Sequence, residues 1–306
     1  MKLQKILGGV LGATLALSAL AFTKPALAAT DVVVSIPELG AIAKAVGGND
    51  ISVFSVAKPN QDYHRIEPRP SDVARIAKAD LVVRSGLSLD LWMDALMDAA
   101  GNRRLNRGGV GYVDASQNIP VIERPNESIT GASGDVHPEG NPHYYYDPIY
   151  AKFVAQNVLR GLVRVDARNA ASYRANFTRF SQTIDSRMNG WNAQLRPFRG
   201  QGVVTYHRNY NYFLRRFGLR QYGTLEPVPG IPPSARHVSQ LIQNMKRDRV
   251  KAVVIESIYP RRFADVIKRE TGVQYRVAPF SVSTMTETGY LNLIDTLVQR
   301  HRAALS

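Results

Sequence analysis

The sequence predicts an α/β protein of two lobes. Each lobe is a mostly parallel sheet flanked by helices, one long rigid helix links them, and a metal site lies in the interlobe cleft. Three observations predict this. Short apolar runs alternate with amphipathic stretches over residues 31–114 and again over residues 202–304, the pattern of βαβ units. Between them, Tyr173, Phe177, Phe180, Ile184, Met188, Trp191 and Leu195 step by three and four, which is one apolar stripe on a continuous helix. Finally, His64, His143 and His207 each stand at a loop boundary where the two lobes would meet.

The elements follow in order. Residues 31–36 form a strand, 37–46 a helix ended by Gly47-Gly48, and 51–56 a second strand. The Pro-rich loop 57–70 carries His64; Ser71-Asp72 then cap a helix over 73–78. A strand at 81–83, a helix over 87–100 stopped at Gly101 and a short strand at 111–114 complete the first sheet. Residues 123–141 are polar and rich in Gly, Ser, Asn and Pro, hence a loop. Asp147 can accept hydrogen bonds from free N–H groups of a following helix, 148–165, and Pro148 suits its first position. The aromatic stripe implies a helix of roughly 28 residues, about 42 Å long at 1.5 Å per residue. The second half repeats the alternation: strands at 202–206, 221–225, 250–255 and 273–277, helices at 209–217, 234–247, 260–270 and 290–304. The lobes are expected at 30–166 and 198–306, with the linking helix at 167–197.

Composition narrows the chemistry. Of 306 residues, 44% are apolar, enough for real cores. Lys2 and Lys5 precede an apolar run over 6–22 and a small-residue stretch ending Ala26-Leu27-Ala28-Ala29, which reads as an export signal over residues 1–29 cleaved near Ala28 or Ala29. With no cysteine near that point, a lipid anchor is not expected. The chain has no cysteine at all, so a metal site must use His, Asp, Glu or water. Net charge is +14, but the basic residues are scattered and no basic block is interleaved with aromatics, so nucleic acid is not an expected partner.

Ligands of open α/β sheets sit beyond the carboxyl ends of strands. His207 and Glu256 both follow apolar strand runs of the second sheet, and His64 follows the second strand of the first. Taken alone, each histidine is more often a surface or hydrogen-bonded residue than a ligand; their shared placement at strand-to-loop boundaries shifts that balance toward a joint metal site, although no close H-x-x-x-H or H-x-H pair is present.

The chain resembles the zinc/manganese-type solute-binding proteins of bacterial ABC transporters (cluster A-I). The resemblance spans residues 32–304. It is carried by His64 with Glu67-Pro68-Arg69-Pro70-Ser71-Asp72, by Asn141-Pro142-His143 with Asp147-Pro148, by Tyr206-His207 with Tyr212-Phe213, and by Val254-Ile255-Glu256-Ser257 with Glu270-Thr271-Gly272-Val273. It implies a zinc-type periplasmic receptor with His64, His143 and His207 as ligands. Its implied partners are an ABC permease in the inner membrane and a periplasmic metallochaperone, and the chain is expected to be a monomer. His rather than carboxylate at 207 suits Zn²⁺ over Mn²⁺. The family's usual Asp after the last strand is missing: the chain reads Ala278-Pro279-Phe280-Ser281-Val282-Ser283. Glu256 is the candidate fourth ligand, with water as rival and with a buried, backbone-bonded carboxylate as its structural alternative; Glu287 is a further candidate. His137, in the loop before His143, reads either as an auxiliary site or as simply exposed. His237 and His301 fall in helices and are not expected to ligate. A zinc-dependent exported enzyme is the competing function, although no H-E-x-x-H helix or G-x-S-x-G elbow is present. A receptor for Mn²⁺ or another divalent metal also competes, as does a surface protein that holds metal for stability.

Overall fold

The computed structural model describes residues 28–130 and 133–306. The export signal read over residues 1–29 therefore lies outside the described residues, apart from Ala28 and Ala29.

Two parallel sheets form the frame. The first contains β1 (Thr30–Val34), β2 (Ile51–Ser55), β3 (Leu81–Arg84) and β4 (Tyr112–Asp114) in the order β2-β1-β3-β4. The second contains β5 (Gly202–Thr205), β6 (Arg220–Thr224), β7 (Ala252–Glu256) and β8 (Tyr275–Ala278) in the order β6-β5-β7-β8. Strands covered on both faces need apolar side chains on both, which explains the unbroken runs Val32-Val33-Val34, Leu81-Val82-Val83 and Val253-Val254-Ile255, all buried. In each sheet the order turns back beside its first strand, between β1 and β3 and between β5 and β7. The crevice at such a turning point is the natural place for a ligand.

The helices are α1 (Pro37–Gly47), α2 (Pro70–Lys78), α3 (Trp92–Ala100), α4 (Pro148–Val165), α5 (Ala170–Leu195), α6 (Asn211–Arg216), α7 (Ala235–Asp248), α8 (Arg262–Thr271) and α9 (Gly289–Leu305). Helix α5 is the linking helix, 26 residues long. Tyr173, Phe180, Ile184, Trp191 and Leu195 of its stripe are buried, and Phe177 and Met188 pack against the same core. Near its start Asn176 Nδ2 donates to the Val46 carbonyl of α1 (3.1 Å); near its end Trp191 Nε1 donates to Asp295 Oδ1 of α9 (2.7 Å). The helix is thus fastened to both lobes. One apolar core, holding Val34, Val83, Val203, Val254 and Ile294 together, runs beneath both sheets. Among the described residues no helix is long and apolar enough to cross a membrane.

The loops at the carboxyl ends of the two sheets bond to each other. Asn60 N donates to Ser281 Oγ (3.0 Å), Ser257 Oγ to Asn60 Oδ1 (3.0 Å), Arg65 Nη2 to the Gly230 carbonyl (3.1 Å) and Asn141 Nδ2 to the Arg208 carbonyl (3.0 Å). Arg216 of α6 pairs with Asp147 at 2.8 Å, across the same divide.

Helices α5, α6 and α8 start two or three residues later than the sequence expectation, and α2 and α3 differ for a visible reason. Helix α2 begins at Pro70, not after Ser71-Asp72, because Asp72 sits at the third position and its Oδ2 reaches back to Arg69 N (2.9 Å). Helix α3 begins at Trp92, not 87. Gly86, Leu87 and Ser88 are left-handed, with φ of 73°, 51° and 59°. The Asp90 carboxylate gathers Ser85 N (2.6 Å) and Gly86 N (3.3 Å) and pairs with buried Arg84. This hydrogen bonding overrides the helical periodicity of residues 87–91.

Candidate metal centre

His64 sits in a short 3-10 turn, Tyr63–Arg65, in the loop after β2. Its backbone N donates to Asp62 Oδ1 (3.1 Å), and Trp92 Nε1 donates to the neighbouring Tyr63 carbonyl (3.0 Å). His143 lies directly before the 3-10 turn Tyr144–Tyr146, which leads into α4. Asp147 caps that helix through Ile149 N (2.8 Å), as the sequence suggests. All three tyrosines are buried, and Tyr144 and Tyr146 donate to the Ser85 and Phe280 carbonyls. His207 follows β5 at the turning point of the second sheet.

The fold brings these three histidines together. Each offers a ring nitrogen, and the three atoms lie within 4.8 Å of one another. The ring centroids are 5.4 to 5.5 Å apart. His143 and His207 are each 2% exposed, and His64 is half-buried. Burial, followed by the neighbouring His207, holds the His64 and His143 imidazoles well below the ordinary histidine range. They therefore stay neutral at pH 7 and keep a lone pair free for a cation.

Two of the rings are fixed in tautomer as well as position. Asn141 Nδ2 donates to Glu123 Oε2 and to the Arg208 carbonyl, both at 3.0 Å, so its Oδ1 is the atom facing His143. That oxygen can only accept, and it takes both His143 N and His143 Nδ1 at 2.9 Å. His143 is therefore protonated on Nδ1, which leaves Nε2 open. His207 Nδ1 lies 2.6 Å from Glu226 Oε2, which also accepts from Gly230 N (3.1 Å). This is the carboxylate–histidine arrangement that orients metal ligands and strengthens their basicity. Sequence alone gives neither Asn141 nor Glu226 a role. The signal for Asn141 is its place two residues from His143, the spacing of a side chain that bonds back onto its own turn. Glu226 stands just beyond β6, at the same sheet edge as His207.

Glu256 is not brought into the group. It is fully buried at the end of β7, and its oxygens accept from Tyr206 N (3.2 Å) and His207 N (3.4 Å). Burial pushes its carboxyl up to about 8, so it prefers the protonated form at neutral pH. It braces the backbone that carries His207, which is the buried, backbone-bonded role rather than ligation. Ser281 Oγ accepts from Asn60 N, and Glu287 is exposed, with Oε1 near Gly48 at the end of α1. His237 and His301 lie on α7 and α9, away from the group. A cavity of about 40 Å³ adjoins the site, lined by His137, His143 and His207 among others. That volume is enough for an ion or a water.

Residues 32–304 match the family model of ZnuA, the periplasmic component A of zinc-uptake complexes. The chain belongs to the ZnuA family. It is 24% identical over 298 residues to the high-affinity zinc uptake system protein ZnuA of Yersinia pestis, covering 91% of this chain and 92% of that protein. It is also 25% identical over 271 residues to the iron-binding protein YfeA of the same organism, covering 84% and 80%. A solved zinc-bound ZnuA lacking residues 138–173 of its own chain superposes with a TM-score of 0.76 at 25% identity, over 91% of this chain and 99% of that one. ZnuA-family proteins are metal-binding solute receptors of ABC transporters. The two-lobed fold with its linking helix is the ZnuA fold.

Proposed function

We propose that this chain is a periplasmic receptor that captures Zn²⁺ with His64, His143 and His207 and delivers it to an ABC permease in the inner membrane. The observation that carries the reading is the pre-oriented pair of Nε2 atoms on His143 and His207, with a third imidazole nitrogen within 4.8 Å. Neutral nitrogen donors favour Zn²⁺ over Mn²⁺, which prefers more oxygens. In the same reading residues 1–29 are the export signal, residues 30–166 and 198–306 are the lobes, and 167–197 link them.

The test is calorimetric titration of the metal-stripped protein with Zn²⁺ beside His143→Ala and His207→Ala. One tight site, strongly weakened by each substitution, is expected. Failure of the parent protein to bind Zn²⁺ more tightly than micromolar would sink the proposal.

A further inference from the structure

We propose that His137 is a fourth ligand to the captured ion and completes a shell of four imidazoles; this rests on the receptor reading above. His137 lies in the loop between β4 and α4, its ring centroid 5.1 Å from that of His64. Its Nε2 is buried and has no hydrogen-bond partner, and His64 Nε2 is in the same condition. An unsatisfied buried nitrogen costs about 1–3 kcal/mol, so two of them on neighbouring rings ask for a shared occupant. His137 also lines the 40 Å³ cavity together with His143 and His207. Its nitrogens stand outside the set that lies within 4.8 Å, so the ring closes onto the ion by turning about its side-chain bonds.

The loop is seated for this. Asp135 N donates to the Pro229 carbonyl (2.8 Å), Gly140 N to the His137 carbonyl (3.1 Å), and Ser88 Oγ to Glu139 (2.8 Å). Gly134 has φ +63°, and a Cβ there would stand 2.1 Å from the Pro229 carbonyl oxygen. Only glycine lets the loop lie this close to the segment that holds Glu226. Two of the oxygen donors weighed from the sequence are engaged elsewhere, Glu256 on backbone N–H groups and Ser281 on Asn60, while the Asp135 carboxylate lines the same cavity as His137. A tetrahedral zinc ion has one position left after three histidines, and His137 is the further imidazole beside it with a buried, unpartnered Nε2.

The test uses Zn²⁺ affinity by chelator competition and the visible spectrum of the Co²⁺ form, on the parent, His137→Ala, His137→Cys and His143→Ala. The expected result is a loss of roughly ten- to a hundredfold in His137→Ala, with altered cobalt bands. The parent has no cysteine, so a thiolate-to-cobalt charge-transfer band in His137→Cys would report direct ligation. Parent-like affinity and spectrum in His137→Ala, or no charge-transfer band in His137→Cys, would overturn the fourth ligand while His143→Ala still weakens binding. If the parent fails to bind, or His143→Ala is also without effect, the receptor reading falls as well.

Discussion

The histidines of the site are held in two different ways. His143 and His207 are sealed from solvent, and each has its Nδ1 tied to an acceptor that is itself held, Asn141 by Glu123 and the Arg208 carbonyl, Glu226 by Gly230 N. His64 is half-buried on a loop, and no partner meets its Nε2. In the proposed receptor the tied pair sets geometry and donor type, while the third donor has no side-chain partner of its own to fix its ring. A capture site needs both, because selectivity requires preorganisation and release requires a part that can yield.

Breaking the rigid pair should have the largest effect. His143→Ala and His207→Ala are expected to weaken Zn²⁺ binding about a hundredfold or more, since binding energies of about 10–16 kcal/mol are shared among so few ligands. His64→Ala should cost less than either, and equal losses in the three variants by competition titration would remove the distinction. The supports come next. Glu226→Gln and Asn141→Ala are expected to lose about ten- to a hundredfold in affinity, with Glu226→Gln the larger because it removes a carboxylate behind the ring.

His301 sharpens the contrast in another way. It is as buried as the site histidines but solitary, packed against Tyr210 and Phe213, and burial pushes its imidazole down to about 4. Its folded pKa lies below the unfolded value of about 6.5, so the unfolded chain binds the extra proton. The contribution is present above pH 6.5 and is lost as pH falls toward 4, by up to about 3 kcal/mol. Denaturant unfolding of the metal-free protein should show a shallower acid dependence in His301→Phe than in the parent over that window. The smallest effect is expected at the bridge between lobes. Ser281→Ala removes the acceptor for Asn60 N, worth about 1 kcal/mol, and should speed metal release to a chelator about fivefold in stopped-flow.

The sheets, the linking helix and the three histidines are legible in the sequence because each leaves a periodic or positional trace. The stripe on α5 is readable since aromatic side chains spaced by three and four have one helical face to bury. His207 can be placed because a parallel strand delivers its last residue to a known edge. The start of helix α3 is not legible, because Asp90 recruits the backbone of residues 85 and 86, a tertiary choice that leaves residues 87–91 with a helical pattern they do not adopt. Glu226 is hidden for a similar reason. It lies 19 positions from His207, and their contact exists only once β5 and β6 have paired. Glu256 does stand at the predicted edge, but which group a buried carboxylate satisfies depends on where N–H donors end up, and two backbone donors take its oxygens.

Helix α5 has a mechanical consequence. It is splinted to α1 at one end and α9 at the other over a shared core, so the lobes cannot pivot as covers of a book without breaking that packing. Strain on loading must fall on the loops at the cleft, and such segments move in nanoseconds to microseconds, whereas whole-lobe hinging takes microseconds to milliseconds. Under the proposed receptor function the clock for ion capture is then a loop clock, and stiffening the lobes further should leave it unchanged.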